Sequence, residues 1–257
     1  MDTLFQVQER HNIVEYFSDG RYDSVLMTAL FGSQNYKLDN ENSDIDTVSI
    51  VLPTYKNFIC GDQPVSQETM QKDGSHIVLK DIRLAFNNLR KSNPNSIEWL
   101  ISSYQIYNQE FNDILLHYLH DADKLFYMVH SNYTSMMNAI AGMTKSLKRE
   151  NMSLGKRFAH YVRLTTMLDK YIDYGHDPRD YFVMTQEHLT LARNAKFGNI
   201  TITEEDCDKM EKVILDIVNS FEKTKVQEDI EHKGQLMIYD FQSAIFDRYF
   251  EDMYNVE

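Results

Sequence analysis

Only two cysteines occur in the 257 residues, Cys60 and Cys207. Two cannot build a disulfide framework or, by themselves, a cysteine-rich zinc site. No apolar run approaches the ~18 residues that a membrane span requires. The opening Met1-Asp2-Thr3-Leu4-Phe5 carries an acid and lacks the basic start and apolar core of a signal peptide. Four prolines and nine glycines leave little material for long flexible linkers. Basic charge is scarce too: 26 Lys and Arg stand against 39 Asp and Glu, a formal net charge of -13. A protein gripping duplex DNA by broad charge neutralisation should look the opposite, so any nucleic-acid contact has to be local. What is there is ordinary globular composition, 42% hydrophobic and 25% charged, which excludes wholesale disorder. These absences predict a soluble protein of a reducing compartment, the cytoplasm, without membrane contact, with one large domain or two small ones.

The N-terminal half mixes periods. Leu4 to Phe17 is loosely helical and stops at Ser18-Asp19-Gly20. Ser24 to Phe31 is a short apolar run ending in Gly32-Ser33, read as a buried strand. Ile45 to Leu52 alternates before Pro53 and predicts a second strand. Residues 54–74 read as an irregular excursion. A third strand is predicted at His76 to Lys80, then a helix from Asp81 to Lys91. After Asn93-Pro94 the pattern turns helical at 95–103, 110–130, 133–149, 155–174, 203–224 and 235–254. The clearest stripe is Met210, Val213, Ile214, Ile217, Val218 and Phe221, headed by Thr203 and an acidic first turn. The fold class is therefore α+β: a small mixed-sheet core over residues 1–105 with an N-terminal helix, then a helical domain over 106–257.

Charge is uneven. Gly142 to Thr166 holds six basic residues and one acid, whereas Thr201 to Glu257 holds 15 acids and 6 bases. The basic island is either an anion site or a solvated helix face. Within it, His160 and Arg163 stand three apart on a predicted helix and so share a face. Arginine suits a triphosphate because its planar fork makes two hydrogen bonds to phosphate oxygens.

The stretch that carries chemistry is Leu30 to Pro53. A strand ends in Gly32-Ser33, where a glycine lets backbone approach a ligand and a hydroxyl and nearby amides suit a phosphate. Asp44 and Asp46 stand two apart at the opening of the next strand, so both carboxylates can reach one point. Two such oxygen donors hold Mg2+, and metal ions there can serve phosphoryl-group chemistry. Alone, Asp44 reads as a strand-start or turn aspartate. Strand, Gly-Ser, spacer and D-x-D together are far more specific.

In this respect the chain resembles the polymerase-β-like nucleotidyltransferase superfamily, and most closely its predicted nucleotidyltransferases associated with RNA repair. Their pattern, roughly G-S-x-x-Y-G-x-x-x-x-x-S-D-x-D-x-x-x-V-x-x-P, is echoed by Gly32, Ser33, Tyr36, Ser43, Asp44, Asp46, Ile50 and Pro53. Lys37 stands where that branch usually has glycine. Lys91 to Leu100, Gly155 to Leu164 with its H-x-x-R pair, and Arg193 to Thr203 are similar to further segments, so the resemblance covers most of residues 24–205.

The resemblance implies nucleotidyl transfer from an NTP to an acceptor hydroxyl, with Asp44 and Asp46 holding Mg2+ and Gly32 and Ser33 at the β/γ phosphates. Lys145, His160 and Arg163 are the candidates for the remaining nucleotide charge. The superfamily's third carboxylate, from a later strand, aligns with His76, a base or ligand of a modified site; Asp73 and Asp81 are the nearest acids. Glu98, beside the lone Trp99, reads as a structural carboxylate capping or pairing near the domain junction. The implied acceptor is an RNA or tRNA end. Two rivals stay open: transfer to a partner protein's hydroxyl, and a degenerate enzyme that only binds nucleotide, RNA or protein.

Overall fold

Tyr22 to Phe31 is rich in Val, Leu, Met and Ala, and a run buried along almost its whole length can only be a central strand. The computed structural model describes residues 3–16, 22–41, 43–71 and 74–254. A helix α1 (Thr3–Tyr16) comes first, then β1 (Tyr22–Phe31), β2 (Asp46–Pro53), α2 (Tyr55–Ile59), β3 (Ser66–Met70), β4 (His76–Asp81), α3 (Ile82–Leu89), α4 (Pro94–Ile101) and β5 (Gln105–Tyr107). Helices follow: α5 (Asn112–Leu119), α6 (Ala122–Val129), α7 (Tyr133–Arg149), α8 (Leu154–Ile172), α9 (Gln186–Lys196), α10 (Glu204–Ser220) and α11 (Lys225–Tyr254). The fold is α+β, a small mixed sheet followed by helices, as predicted.

The five strands lie in the order β3-β4-β2-β1-β5. β1 pairs antiparallel with β2 and β5, β2 pairs parallel with β4, and β3 closes the other edge antiparallel to β4. One face presents Met27, Ala29, Val48, Ile50 and Leu52 to the main core. The opposite face carries Thr28 and Ser49, whose hydroxyls lie 2.8 Å apart, with His11 Nδ1 of α1 2.9 Å from Thr28 Oγ1. The main core is continuous from Leu26 of β1 to Tyr249 of α11, so side chains on both sides of residue 105 share it. α11 returns to the sheet end, where the Tyr249 hydroxyl donates to Pro53 O at 2.8 Å. Among the described residues no helix is long and apolar enough to cross a membrane.

Several elements differ from the sequence expectation, each for a local reason. The 54–74 excursion contains α2 and β3; β3 is a polar, exposed edge strand with no apolar alternation to betray it. The helix expected over 110–130 is two, because Asp121 accepts the amides of Asp123 and Lys124 and starts α6 afresh. α9 buries only Ala192 and Ala195, too thin a stripe to read from sequence. α11 begins at Lys225, ten residues before the expected start, through a largely polar first half.

Candidate active site

Strand register sets the first wall. Phe31 of β1 faces Asp46 of β2, so the chain leaves the sheet at Gly32 directly beside that carboxylate. Gly32 has φ +83, and a Cβ there would come 3.2 Å from Asp46 Oδ2, so any other residue would strain the backbone and press on that carboxylate. Residues 32–38 then fold into turns closed by Asn35 N–H to Gly32 O (3.1 Å) and Leu38 N–H to Ser33 O (2.9 Å). Lys37 adopts φ 57, the left-handed region, which explains why glycine suits this position in the similar sequences. Its carbonyl accepts from Arg193 Nη1 at 2.6 Å, and the Leu38 carbonyl accepts from Lys196 Nζ at 2.6 Å, so α9 pins the end of the turn.

Asp44 lies just before β2 and Asp46 is its first residue; both line one cavity of about 410 Å³ with Gly32 and Ser33. Parallel pairing of β2 with β4 brings the His76 amide to Asp46 Oδ1 at 2.9 Å, fixing that carboxylate and leaving Oδ2 on the Gly32 side. The His76 ring is elsewhere: Nδ1 lies 2.6 Å from Glu68 Oε1 of β3, a contact rather than a directed hydrogen bond, and His76 is not among the residues lining the cavity. Asp81 is no candidate either, being a buried cap of α3 that accepts from Arg83 N, Nε and Nη2. Asp73 lies outside the described residues. No group of three or more His, Cys, Asp or Glu among the described residues could hold a metal ion, so among those residues the carboxylates of the cavity are Asp44 and Asp46.

The facing wall is helical. Lys156, His160 and Arg163 sit at i, i+4 and i+7 of α8, one stripe, and all three line the cavity. Lys196 and Phe197 join them from the end of α9. Gly155 makes this possible: a Cβ there would lie 2.0 Å from Ala195 O, so α8 and α9 touch backbone to backbone. Burial lowers His160 to about 3, helped by Arg163, Lys156 and Lys196, which makes it a neutral imidazole among cations. Burial also lowers Lys196, with Lys156 adding to the shift. Arg163 is stacked 4.2 Å from the Tyr36 ring centroid.

The basic island divides. Lys148 pairs with Asp208 and Glu211 (2.9 and 3.0 Å) and Arg157 with Glu204 (2.6 Å), so acids of α10 neutralise them. Lys145 is exposed on α7 and does not line the cavity. Lys156 and Arg163 are the members that face it. Thus Gly32, Ser33, Asp44, Asp46, His160 and Arg163 come together as the sequence predicted, while His76 contributes its amide and Lys145 nothing visible. Lys156 was not among the candidates, although it stands one turn before His160 on the same helix. Lys196 and Phe197 lie in the Arg193-to-Thr203 segment that the resemblance singled out, but no role was read for them, because they arrive from a helix without a clear stripe. Glu98, read from sequence as a capping or pairing carboxylate, is buried under the Gly-Ser turn and accepts the Gly32 amide.

The model of RlaP, the RNA repair pathway DNA polymerase beta family, matches residues 1–193. No curated protein matches the chain. Among solved structures, a nucleotidyltransferase-like protein from Exiguobacterium sibiricum 255-15 is 10% identical, covering 97% of this chain and 81% of that one, with a TM-score of 0.29. A likeness so slight carries no argument. The family match spans the turn, both aspartates and the α8 stripe, and nucleotidyl transfer is the type of function it supports. The chain belongs to the RNA repair pathway DNA polymerase beta family.

Proposed function

We propose that this protein transfers a nucleoside monophosphate from a nucleoside triphosphate to the hydroxyl of an RNA or tRNA end, releasing pyrophosphate. One observation carries the reading: a single cavity has Asp44 and Asp46 on one wall and Lys156, Arg163 and Lys196 on the other, with the Gly-Ser turn between. A triphosphate needs both walls, because its oxygens repel bare carboxylates and are drawn to cations.

The donor set fits Mg2+. Two carboxylates open onto the cavity, and the absence of a Cβ at Gly32 leaves room beside Asp46 Oδ2. Asp44 and Asp46 would hold the ion, which when bound supplies charge neutralisation at the phosphate oxygens. Ser33 and the cations orient the triphosphate so that the acceptor oxygen approaches the α-phosphorus in line. The acceptor O–P bond forms as the bond from the α-phosphorus to the bridging oxygen breaks, and pyrophosphate leaves with that oxygen. His160, held near 3, is a poor proton acceptor and acts as a neutral hydrogen-bonding partner. The hydroxyl proton then ends on solvent or on the departing pyrophosphate, whose oxygens are more basic than carboxylates that would be engaged with the ion.

The family's description supports an RNA acceptor, and the negative chain as a whole supports a short, local contact with it. The test is incubation with each α-labelled nucleoside triphosphate and Mg2+, with total RNA and with cell protein, beside an Asp44→Ala/Asp46→Ala variant. The expected result is label on RNA, lost about 1,000-fold or more in the variant. Label on protein instead would replace the acceptor, and nucleotide binding without any transfer would leave a binding module.

A further inference from the structure

Glu98 has no part in the transfer just described, yet it is buried in α4 with 2% of its surface exposed. A carboxylate so placed is strongly disfavoured unless its oxygens are met. They are met by the turn. Oε1 accepts the Gly32 amide at 2.5 Å and Asn35 Nδ2 at 3.3 Å, and the buried Tyr36 hydroxyl bonds the same carboxylate. Asn35 is itself tied down, donating to Leu30 O at 2.7 Å and accepting from Ser102 Oγ at 3.0 Å. Two cations flank the group, Arg163 from α8 and the half-buried Lys80 from β4. Arg163 lies on the Tyr36 ring, so one carboxylate reaches three residues of the turn and the helical wall.

This arrangement decides which amide faces the ligand. The Gly32 N–H points inward to Glu98 and is spent there. The Ser33 amide and hydroxyl donate to nothing among the described residues, and Ser33 lines the cavity. We propose that Glu98 is the positioning residue of this site: it draws the Gly32 amide inward, leaves Ser33 as the turn's phosphate donor, and keeps Tyr36 and Arg163 aligned with it. The inference rests on the nucleotide reading of the cavity and deepens it. Glu98 touches no substrate; it acts through the turn.

The experiment uses the full chain labelled with ¹⁵N, titrated with ATP and Mg2+, beside Glu98→Gln, which keeps the size and an acceptor oxygen but removes the charge. In the native protein the Gly32 amide signal should lie downfield and exchange slowly, and ATP should move the Ser33 and Gln34 signals more than that of Gly32. In Glu98→Gln the Gly32 signal should move upfield and exchange about tenfold faster, the strength of one charged hydrogen bond. In transfer assays the same variant should lose about tenfold or more in kcat with KM within about threefold, as misplacement of reacting groups does. A purely structural Glu98 would lower the melting temperature and leave kcat per folded molecule alone. The inference fails if Glu98→Gln leaves kcat and the Gly32 signal unchanged, or if ATP moves Gly32 beyond Ser33. Should Glu98→Gln not fold, the native ATP titration still decides it, and Tyr36→Phe, which removes one of the bonds, should give a smaller loss of the same kind. Native protein that shows the ATP shifts but transfers nothing would refute the transfer reading and support the positioning one; active transfer indifferent to Glu98→Gln would do the reverse. A chain that binds no ATP refutes both.

Discussion

The two walls of the cavity are held by different forces. The carboxylate wall is a product of strand pairing: Phe31 opposite Asp46 fixes the turn, and the His76 amide fixes the Asp46 carboxylate. The cationic wall depends on two helices meeting at Gly155 and Ala195, and on α9 grasping the carbonyls of Lys37 and Leu38. Backbone ladders tolerate side-chain changes nearby, whereas a backbone-to-backbone helix contact tolerates no added atom. The cationic wall should therefore be the fragile one. It is also the wall that must accept the most charge, since its three cations crowd around one neutral imidazole.

The largest effect should follow from Gly155→Ala. Its Cβ would meet Ala195 O at 2.0 Å, forcing α8 and α9 apart at an expected cost of about 3 kcal/mol, the upper end of overpacking. Urea unfolding should record that loss, and calorimetry should record weaker ATP binding because Lys156 and Lys196 separate. Unchanged ATP affinity in the folded variant would mean that helix packing does not place the cations.

A middle effect concerns pH. Burial holds His160 at about 3 and His130, whose Nδ1 lies 2.8 Å from Phe126 O, at about 4. An unfolded histidine titrates near about 6.5, so below that pH the unfolded chain binds more protons than the folded one. Stability from these two groups is complete above about 6.5 and falls with pH toward their folded values, by up to about 1.4 kcal/mol per pH unit for each. His160→Gln should remove the share belonging to the cationic wall, and urea midpoints between pH 6 and 5 should then fall less steeply. An identical slope in the variant would show that His160 is already charged in the cavity.

The smallest effect should come from Lys37→Gly. Relief of the left-handed backbone is worth about 1 kcal/mol, and the extra freedom of glycine in the unfolded chain takes back about half. A gain of about 0.5 kcal/mol is expected, with ATP binding unaltered. A loss would mean that packing of the lysine's aliphatic stem contributes more to the turn than the left-handed backbone costs.

The same division governs what could be read beforehand. The carboxylate wall was legible because its parts are close in sequence: Gly32, Ser33, Asp44 and Asp46 lie within fifteen residues, joined by strands whose periods were plain. On α8, helical spacing alone put His160 and Arg163 on one face, and the structure adds Lys156 to that stripe. Lys196 and Phe197 are far away in sequence and sit on a helix that buries only two alanines, so no periodic signal led to them. The split of the basic island could not be seen either, since only tertiary packing sets Lys148 and Arg157 against the acids of α10. His76 shows the limit of alignment by strand: the position is right, beside Asp46, but its amide rather than its ring faces that carboxylate.

The measurement that tests the central claim most directly is transfer from ATP labelled in turn at the α and the γ phosphate, with Mg2+ and total RNA. The expected result is α-label on RNA, γ-label released in pyrophosphate, and neither movement in the Asp44→Ala/Asp46→Ala variant. Movement of the γ-label to RNA, or α-transfer that survives loss of both aspartates, would contradict it.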